Sequence, residues 1–171
     1  MNWNATLATV GLGTLAGYVG TKAMEPVSSA LYNLEPAAAR QQEDAVRLGD
    51  PYDIAAQKTA ALFGVTLSDG QQKLLSLVFH YGLGMGWGVT YPLLRQYTAL
   101  GPVAAGLLSG VTMSLLVDEG LTPALGFSAP NAAYPLATHA RGFVAHLAYG
   151  LSVAVAAETL VWLGRAAQEH A

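Results

Sequence analysis

Cysteine is absent from this 171-residue chain, which excludes disulfides, thiolate metal sites and cysteine nucleophiles. Charge is scarce too. Asp, Glu, Lys and Arg make up 11% of residues, where soluble domains carry roughly 25%. The net charge of −3 is small and dispersed, so nucleic acid is not an expected partner. No GxSxG elbow and no HExxH spacing occurs, so neither an α/β-hydrolase nucleophile nor a zincin site is encoded. Hydrophobic residues, by contrast, reach 53%, with a mean hydropathy of +0.37. That balance fits a polytopic membrane protein whose main partner is the lipid bilayer.

Four stretches approach the roughly 20 residues a helix needs to cross the hydrocarbon core. They lie at about 5–27, 74–94, 100–120 and 142–163. Leu74 to Leu94 and Leu100 to Val117 contain no formal charge, and Gly142 to Leu163 contains only Glu158. The first stretch carries Lys22 and Glu25 in its last third. It has no basic n-region and no clear small-residue cleavage site, so it reads as a span rather than a signal peptide. The expected fold is all-α: a single membrane domain forming an antiparallel four-helix transmembrane bundle, with one or two short interfacial helices.

Those short helices fall in the amphipathic connection 33–72. Pro36 to Leu48 reads as one helix, ended by Gly49. Asp50-Pro51 supplies an N-cap and first-turn proline for a second, which Gly64 stops. Ser68 followed by Gln71 reads as a capping box opening the second span. The short turn around Arg95 to Thr98 predicts that the second and third spans are antiparallel neighbours. Gly120 to Pro135, with three prolines, reads as an ordered loop, and Pro135 suits the first turn of the last helix.

Four spans put both termini on one side, here face A, and both long connections on face B. Trp3, Tyr91, Tyr97 and Trp162 fall at face A as an aromatic belt would. Arg40, Arg47, Lys58, Lys73 and Arg141 fall at face B against Arg95 and Arg165 at face A, which favours a cytoplasmic face B.

Each span also carries small or polar residues four apart, a spacing that keeps them on one helical face. The sets are Gly13, Gly17, Thr21, Glu25; Gln72, Ser76, His80, Gly84, Gly88; Gly106, Gly110, Ser114, Asp118; and Gly142, His146, Gly150, Ala154, Glu158. Gly13, Gly17, Gly84, Gly88, Gly106, Gly110, Gly142 and Gly150 are expected packing positions, because small residues let helices approach closely in lipid. Ionisable groups at such depth usually face the bundle interior and mark function. Glu25, His80, Asp118, Glu119, His139, Arg141 and His146 all come near face B, while Glu158 stands alone near face A.

Several chemistries are compatible with that cluster. A divalent cation would take imidazole and carboxylate, best from His80, His146 and one acid. A proton relay, half-channel or pH sensor would use the same groups, with histidine titrating near neutrality. A haem between His80 and His146 is a lesser alternative, with Gly84, Gly88 and Gly150 making room. Ser76, His80, Ser114 and Asp118 are the residue types of a Ser–His–Asp system, without its motif. In all of these Arg141 would hold the acids in place, and pairing with Asp118 or Glu119 is expected. The contrasting reading is non-enzymatic: a structural or accessory subunit, a homo-oligomer or part of a larger membrane complex, whose charges are internal cross-links.

The order of short motifs also resembles a family. Met24-Glu25, Leu31-Tyr32-Asn33-Leu34-Glu35 and Ala38-Ala39-Arg40-Gln41-Gln42-Glu43-Asp44 come first. His80-Tyr81-Gly82-Leu83-Gly84 follows, then Asp118-Glu119-Gly120-Leu121 with Pro123-Ala124-Leu125-Gly126. Tyr134-Pro135, His139-Ala140-Arg141-Gly142 and His146-Leu147 complete the series. It resembles the small bacterial inner-membrane proteins related to YagU, which carry a domain of unknown function. The resemblance implies a multi-span protein of the bacterial inner membrane and assigns no catalytic residue.

Overall fold

The computed structural model describes residues 3–169, with side chains from residue 6. All regular structure among these residues is helical. Helix α1 spans Trp3–Leu34, α2 Ala37–Val46, α3 Pro51–Leu62, α4 Asp69–Gly88 and α5 Thr90–Tyr97. Helix α6 runs Pro102–Ala124 and α7 runs Leu136–Glu169. The last two are long and apolar enough to cross a membrane.

The local signals act as their chemistry dictates. The Asp50 carboxylate accepts from the amides of Tyr52 and Asp53, with Pro51 at the first helical position of α3. Gly64 ends that helix at φ +65°, a left-handed conformation that glycine adopts without strain. Ser68 and Gln71 form the reciprocal capping box of α4. Pro135 lies just before α7, its carbonyl accepting from the amide of Thr138.

Prolines explain two departures from the expected spans. Pro92 has no N–H for the carbonyl of Gly88, and the second stretch breaks at Val89 into α4 and α5. Pro123 likewise cannot donate to the carbonyl of Glu119. Helix α6 does not end at Gly120; it widens into a π-helix over Ser114–Leu121 and closes with one α-turn, Thr122–Ala124. The side-chain amide of Asn131 donates to the Glu119 carbonyl at 2.8 Å in place of the missing backbone bond. Substituting Asn131→Ala strands that carbonyl and is expected to lower stability by about 1–3 kcal/mol. Chemical unfolding of the single variant and of Asn131→Ala/Pro123→Ala tests this. Restoring an N–H at 123 should recover part of the loss, and strictly additive effects would refute the substitution of one donor for the other.

Glycine sets the helix order. A Cβ on Gly13, Gly17 or Gly88 would strike backbone atoms of the facing helix, so α1 and α4 pack backbone to backbone. Gly106, Gly110 and Gly150 do the same for α6 and α7. Helices α1 and α7 pack along each other, with Gly20 against the side chains of Tyr149 and Val153. The order is therefore α4, α1, α7, α6, with α3 lying on α4. The second and third spans are neighbours as expected, through α5 as well as α4, but α4 and α6 diverge toward face B. Helices α4 and α6 meet chiefly near face A, where Trp87 Nε1 donates to the Ser109 carbonyl at 3.0 Å and the Thr90 and Ser109 hydroxyls lie 2.6 Å apart. Gly142 is corrected as a packing position. A Cβ there would reach only Asp118 Oδ2, at an ordinary 3.6 Å.

The surface is inverted relative to a water-soluble bundle. Leu7, Leu15, Leu77, Val78, Val103, Leu116, Val155 and Trp162 are all more than half exposed. The interior holds Ala16, Ala105, Tyr91, Tyr149, Ser109, Ser114, Glu43 and His146. Tyr97 and Trp162 are exposed as a belt needs, but Tyr91 is buried and faces the bundle. Trp3, the fourth expected belt residue, has a side chain outside those described.

Candidate functional site

Where α4 and α6 diverge toward face B they leave a cavity of about 500 Å³. Thr21, Met24 and Ser28 of α1, Phe79, His80 and Leu83 of α4, Met113, Val117 and Asp118 of α6, and Gly142 and His146 of α7 form its walls. Tyr52 and Ala55 of α3, with the loop residues Phe127, Ser128, Asn131 and Tyr134, roof it. Toward face A it ends at Gly84, whose carbonyl accepts from the Tyr149 hydroxyl at 2.6 Å.

Six of the sequence-predicted site residues line this cavity: His80, Asp118, Glu119, His139, Arg141 and His146. Glu25 does not. It stands behind His80, with Oε1 3.4 Å from His80 Nε2 and accepting from the Tyr81 hydroxyl at 3.0 Å. Lys22 pairs with its other oxygen.

Each imidazole therefore has its own carboxylate. His80 has Glu25; His146 Nδ1 lies 3.4 Å from Asp118 Oδ2; His139 Nδ1 lies 2.8 Å from Glu119 Oε1. Their protonation follows from the atoms around them. His139 places Nδ1 on a carboxylate and Nε2 3.1 Å from the Asn131 carbonyl. Both neighbours only accept, so both ring nitrogens must donate and His139 is an imidazolium. His146 donates from Nδ1 to the Gly142 carbonyl at 2.8 Å. Among the described residues its Nε2 has no hydrogen-bond partner, and His146 lines the cavity, so a proton on Nδ1 leaves the Nε2 lone pair unused.

These pairings divide the candidate ligands among separate acids. Among the described residues no three of His, Asp and Glu gather around a common point. His139 has no lone pair to give, and His80 and His146 turn to different acids. No Ser–His–Asp relay forms either, since neither Ser76 nor Ser114 bonds an imidazole among the described residues. The α3 hydroxyl of Tyr52 sits among these groups, its ring edge-on to His80 at 4.6 Å between centroids. Burial pushes the Tyr52 phenol up from its ordinary pKa, and the charges of Asp118 and Asp50 push it further, so it remains a neutral donor.

Arg141 is corrected most. It binds neither Asp118 nor Glu119. Nη1 donates to Glu35 Oε1 at 2.6 Å, and Nη2 donates to Glu43 at 2.7 and 2.9 Å. Glu43 also accepts from Thr138 at 2.7 Å and from Arg47. The Tyr32 ring centroid lies 5.0 Å from the guanidinium carbon. The side chains of Glu35, Glu43 and Arg141 are 7%, 1% and 10% exposed, so this is a buried ionic network docking α2 onto α7. Burial works against the Glu43 carboxylate. Its bonds from Arg141 and Thr138 and the charges of Arg141 and Arg47 outweigh that and hold it below the usual carboxylate range. Sequence reasoning missed Glu35, Glu43, Thr138 and Tyr52. The available signal was one arginine at the start of α7 facing a connection with six carboxylates, and spacing alone cannot choose among them.

At face A, Glu158 is not alone. It accepts from the Tyr91 hydroxyl at 2.7 Å and from Arg95 Nε at 3.0 Å, tying α7 to α5. Compared with protein-family models, with curated proteins and with solved structures, the chain matches none.

Proposed function

We propose that the chain is a four-span protein of the bacterial inner membrane, whose chamber at face B takes up protons and a small solute and is closed toward face A. The inverted surface supports four spans. Exposed aliphatic residues cover α1 and α4 as well as α6 and α7, while small and polar side chains lie between the helices. The resemblance to the YagU-related inner-membrane proteins fits the same placement.

The observation that carries the functional reading is the set of three imidazoles around one chamber, each beside its own carboxylate. Paired acids and imidazoles within spans are what proton-handling sites are built from. The chamber does not continue to face A, where Tyr149, Gly84, Trp87 and Ser109 close the bundle with direct hydrogen bonds. It is thus a one-ended, proton-responsive pocket rather than a through-pore. The divided ligand set favours proton handling over the divalent-cation alternative.

Nitrogen-15 spectra of histidine-labelled protein in nanodiscs test this. His146 is expected to carry its proton on Nδ1, donated to the Gly142 carbonyl. His139 is expected to keep its second proton to higher pH than a free imidazole, because against the opposing effect of burial its bonds to Glu119 and the Asn131 carbonyl favour the charged ring. A His146 proton on Nε2, or a His139 that loses its second proton no later than free histidine, refutes the reading.

A further inference from the structure

We propose that the chamber selects a small organic cation: an ammonium group on an apolar body, held by Asp118 and His146. The inference rests on the chamber reading above and concerns what the chamber takes.

Its volume, about 500 Å³, lies inside the range of small-ligand sites, roughly 300–1,000 Å³. Its charges are matched with one exception. Glu43 is neutralised by Arg141 and Arg47, and Glu119 by the His139 imidazolium. Asp118 has only His146, and the Nδ1 proton of that ring already goes to the Gly142 carbonyl. Among the described residues, Asp118 is therefore the one lining carboxylate without a cation committed to it.

The unfilled valences agree. His146, 5% exposed, lines the chamber with its Nε2 lone pair unused among the described residues, and the Asp118 carboxylate is acceptor-only. Two acceptors and an unbalanced negative charge call for N–H donors on a positive centre. Tyr52 and Phe79 supply aromatic rings to the lining, and Met113 and Val117 supply apolar wall for the body of such a cation. An anion would meet the Asp118 charge, and a neutral guest would leave it unpaired, with 40% of its side chain exposed. A bare divalent ion would lack the third ligand.

The test uses the full chain in nanodiscs at pH 7.5, with empty nanodiscs as the blank for partitioning. The probes are 2-phenylethylamine, 2-phenylethanol and phenylacetate, which share a body and differ in charge. Calorimetry is expected to show saturable binding of the amine, at least tenfold tighter than the alcohol, with phenylacetate weaker still. Asp118→Asn should reduce amine affinity at least tenfold and leave the alcohol unchanged. In the wild-type protein, where folding is not in question, the amine should shift the His146 Nε2 resonance and leave that of His139 in place. Equal binding of amine and alcohol, tighter binding of phenylacetate, or binding of none of the three overturns the proposal. An amine preference that holds while acidification leaves the nitrogen resonances of the chamber unchanged would sink the proton reading and leave this one standing.

Discussion

Replacing Arg141 with methionine is expected to remove about 3–5 kcal/mol of stability, a large part of what a domain of this size possesses. The reason is burial. Glu35 and Glu43 reach bulk water with less than a tenth of their side-chain surface, and Arg141 is the cation that both share. Without it, two carboxylates face each other in a site that cannot hydrate them. Arg47 cannot take over, because half of its side chain is in solvent and it reaches only one oxygen of Glu43. Lysine at 141 should recover little, since a single ammonium cannot bridge Glu35 and Glu43 as the planar guanidinium does. Equilibrium unfolding in mild detergent measures the loss. Arg165→Met, at an exposed site, should stay within about 0.5 kcal/mol of wild type. The triple variant Arg141→Met/Glu35→Gln/Glu43→Gln should regain most of the difference, because the penalty comes from uncompensated charge. A mild Arg141→Met, or a triple variant no better than the single, would overturn the buried-network account.

The same network fixes a pH dependence. The Glu43 carboxyl is held below its ordinary range when folded, so between those two values the unfolded chain binds more protons. Stability contributed by Glu43 is complete above the ordinary carboxylate range and is lost as pH falls through the depressed folded value. Acid unfolding of the wild type should steepen there, and Glu43→Gln should flatten that limb of the curve.

Helix caps were legible in the sequence because each depends on spacing along one helix, and the same depth of His80, Asp118, Glu119, His139 and His146 near one end of their helices followed from where each span starts or stops. Ser68 finds Gln71 three residues away, and residues four apart share a face whatever the rest of the protein does. The partner of Arg141 was not legible. It depends on where α2 docks and on the phase at which α7 presents residue 141, and neither is a property of local sequence. Tyr91 was misplaced for a related reason. An aromatic residue near a span end suits a lipid interface or an interior acid equally, and the presence of Glu158 one helix away decided it. The π-turn left a faint trace, a proline four residues after Glu119, but the donor that stabilises it, Asn131, comes from a separate loop.

Alanine at Gly88 or at Gly110 is expected to be nearly as damaging, about 3 kcal/mol or more, at the upper end of overpacking costs. At Gly88 the added methyl would meet the Gly13 carbonyl and the Gly17 Cα; at Gly110 it would meet the carbonyl of His146. These are backbone atoms, so no rotamer change relieves the clash and whole helices must separate. Gly82 and Gly86 provide the contrast on α4. A Cβ at either meets nothing within 4 Å, so alanine there should be neutral or gain up to about 1 kcal/mol from helix propensity. Thermal unfolding of the four variants should thus split them into two classes two residues apart on a single helix and its partner pair. The Gly110 variant carries a further consequence, because the atom it displaces belongs to His146. Pushing α7 off α6 moves the His146 ring relative to Asp118, while α1 and α4 still hold Glu25 against His80. Where Gly110→Ala still folds, the His146 nitrogen resonances should shift and those of His80 should not, with the reverse for Gly88→Ala. Equal perturbation of both rings by either variant would mean that the two glycine seams do not position the two sides of the chamber independently.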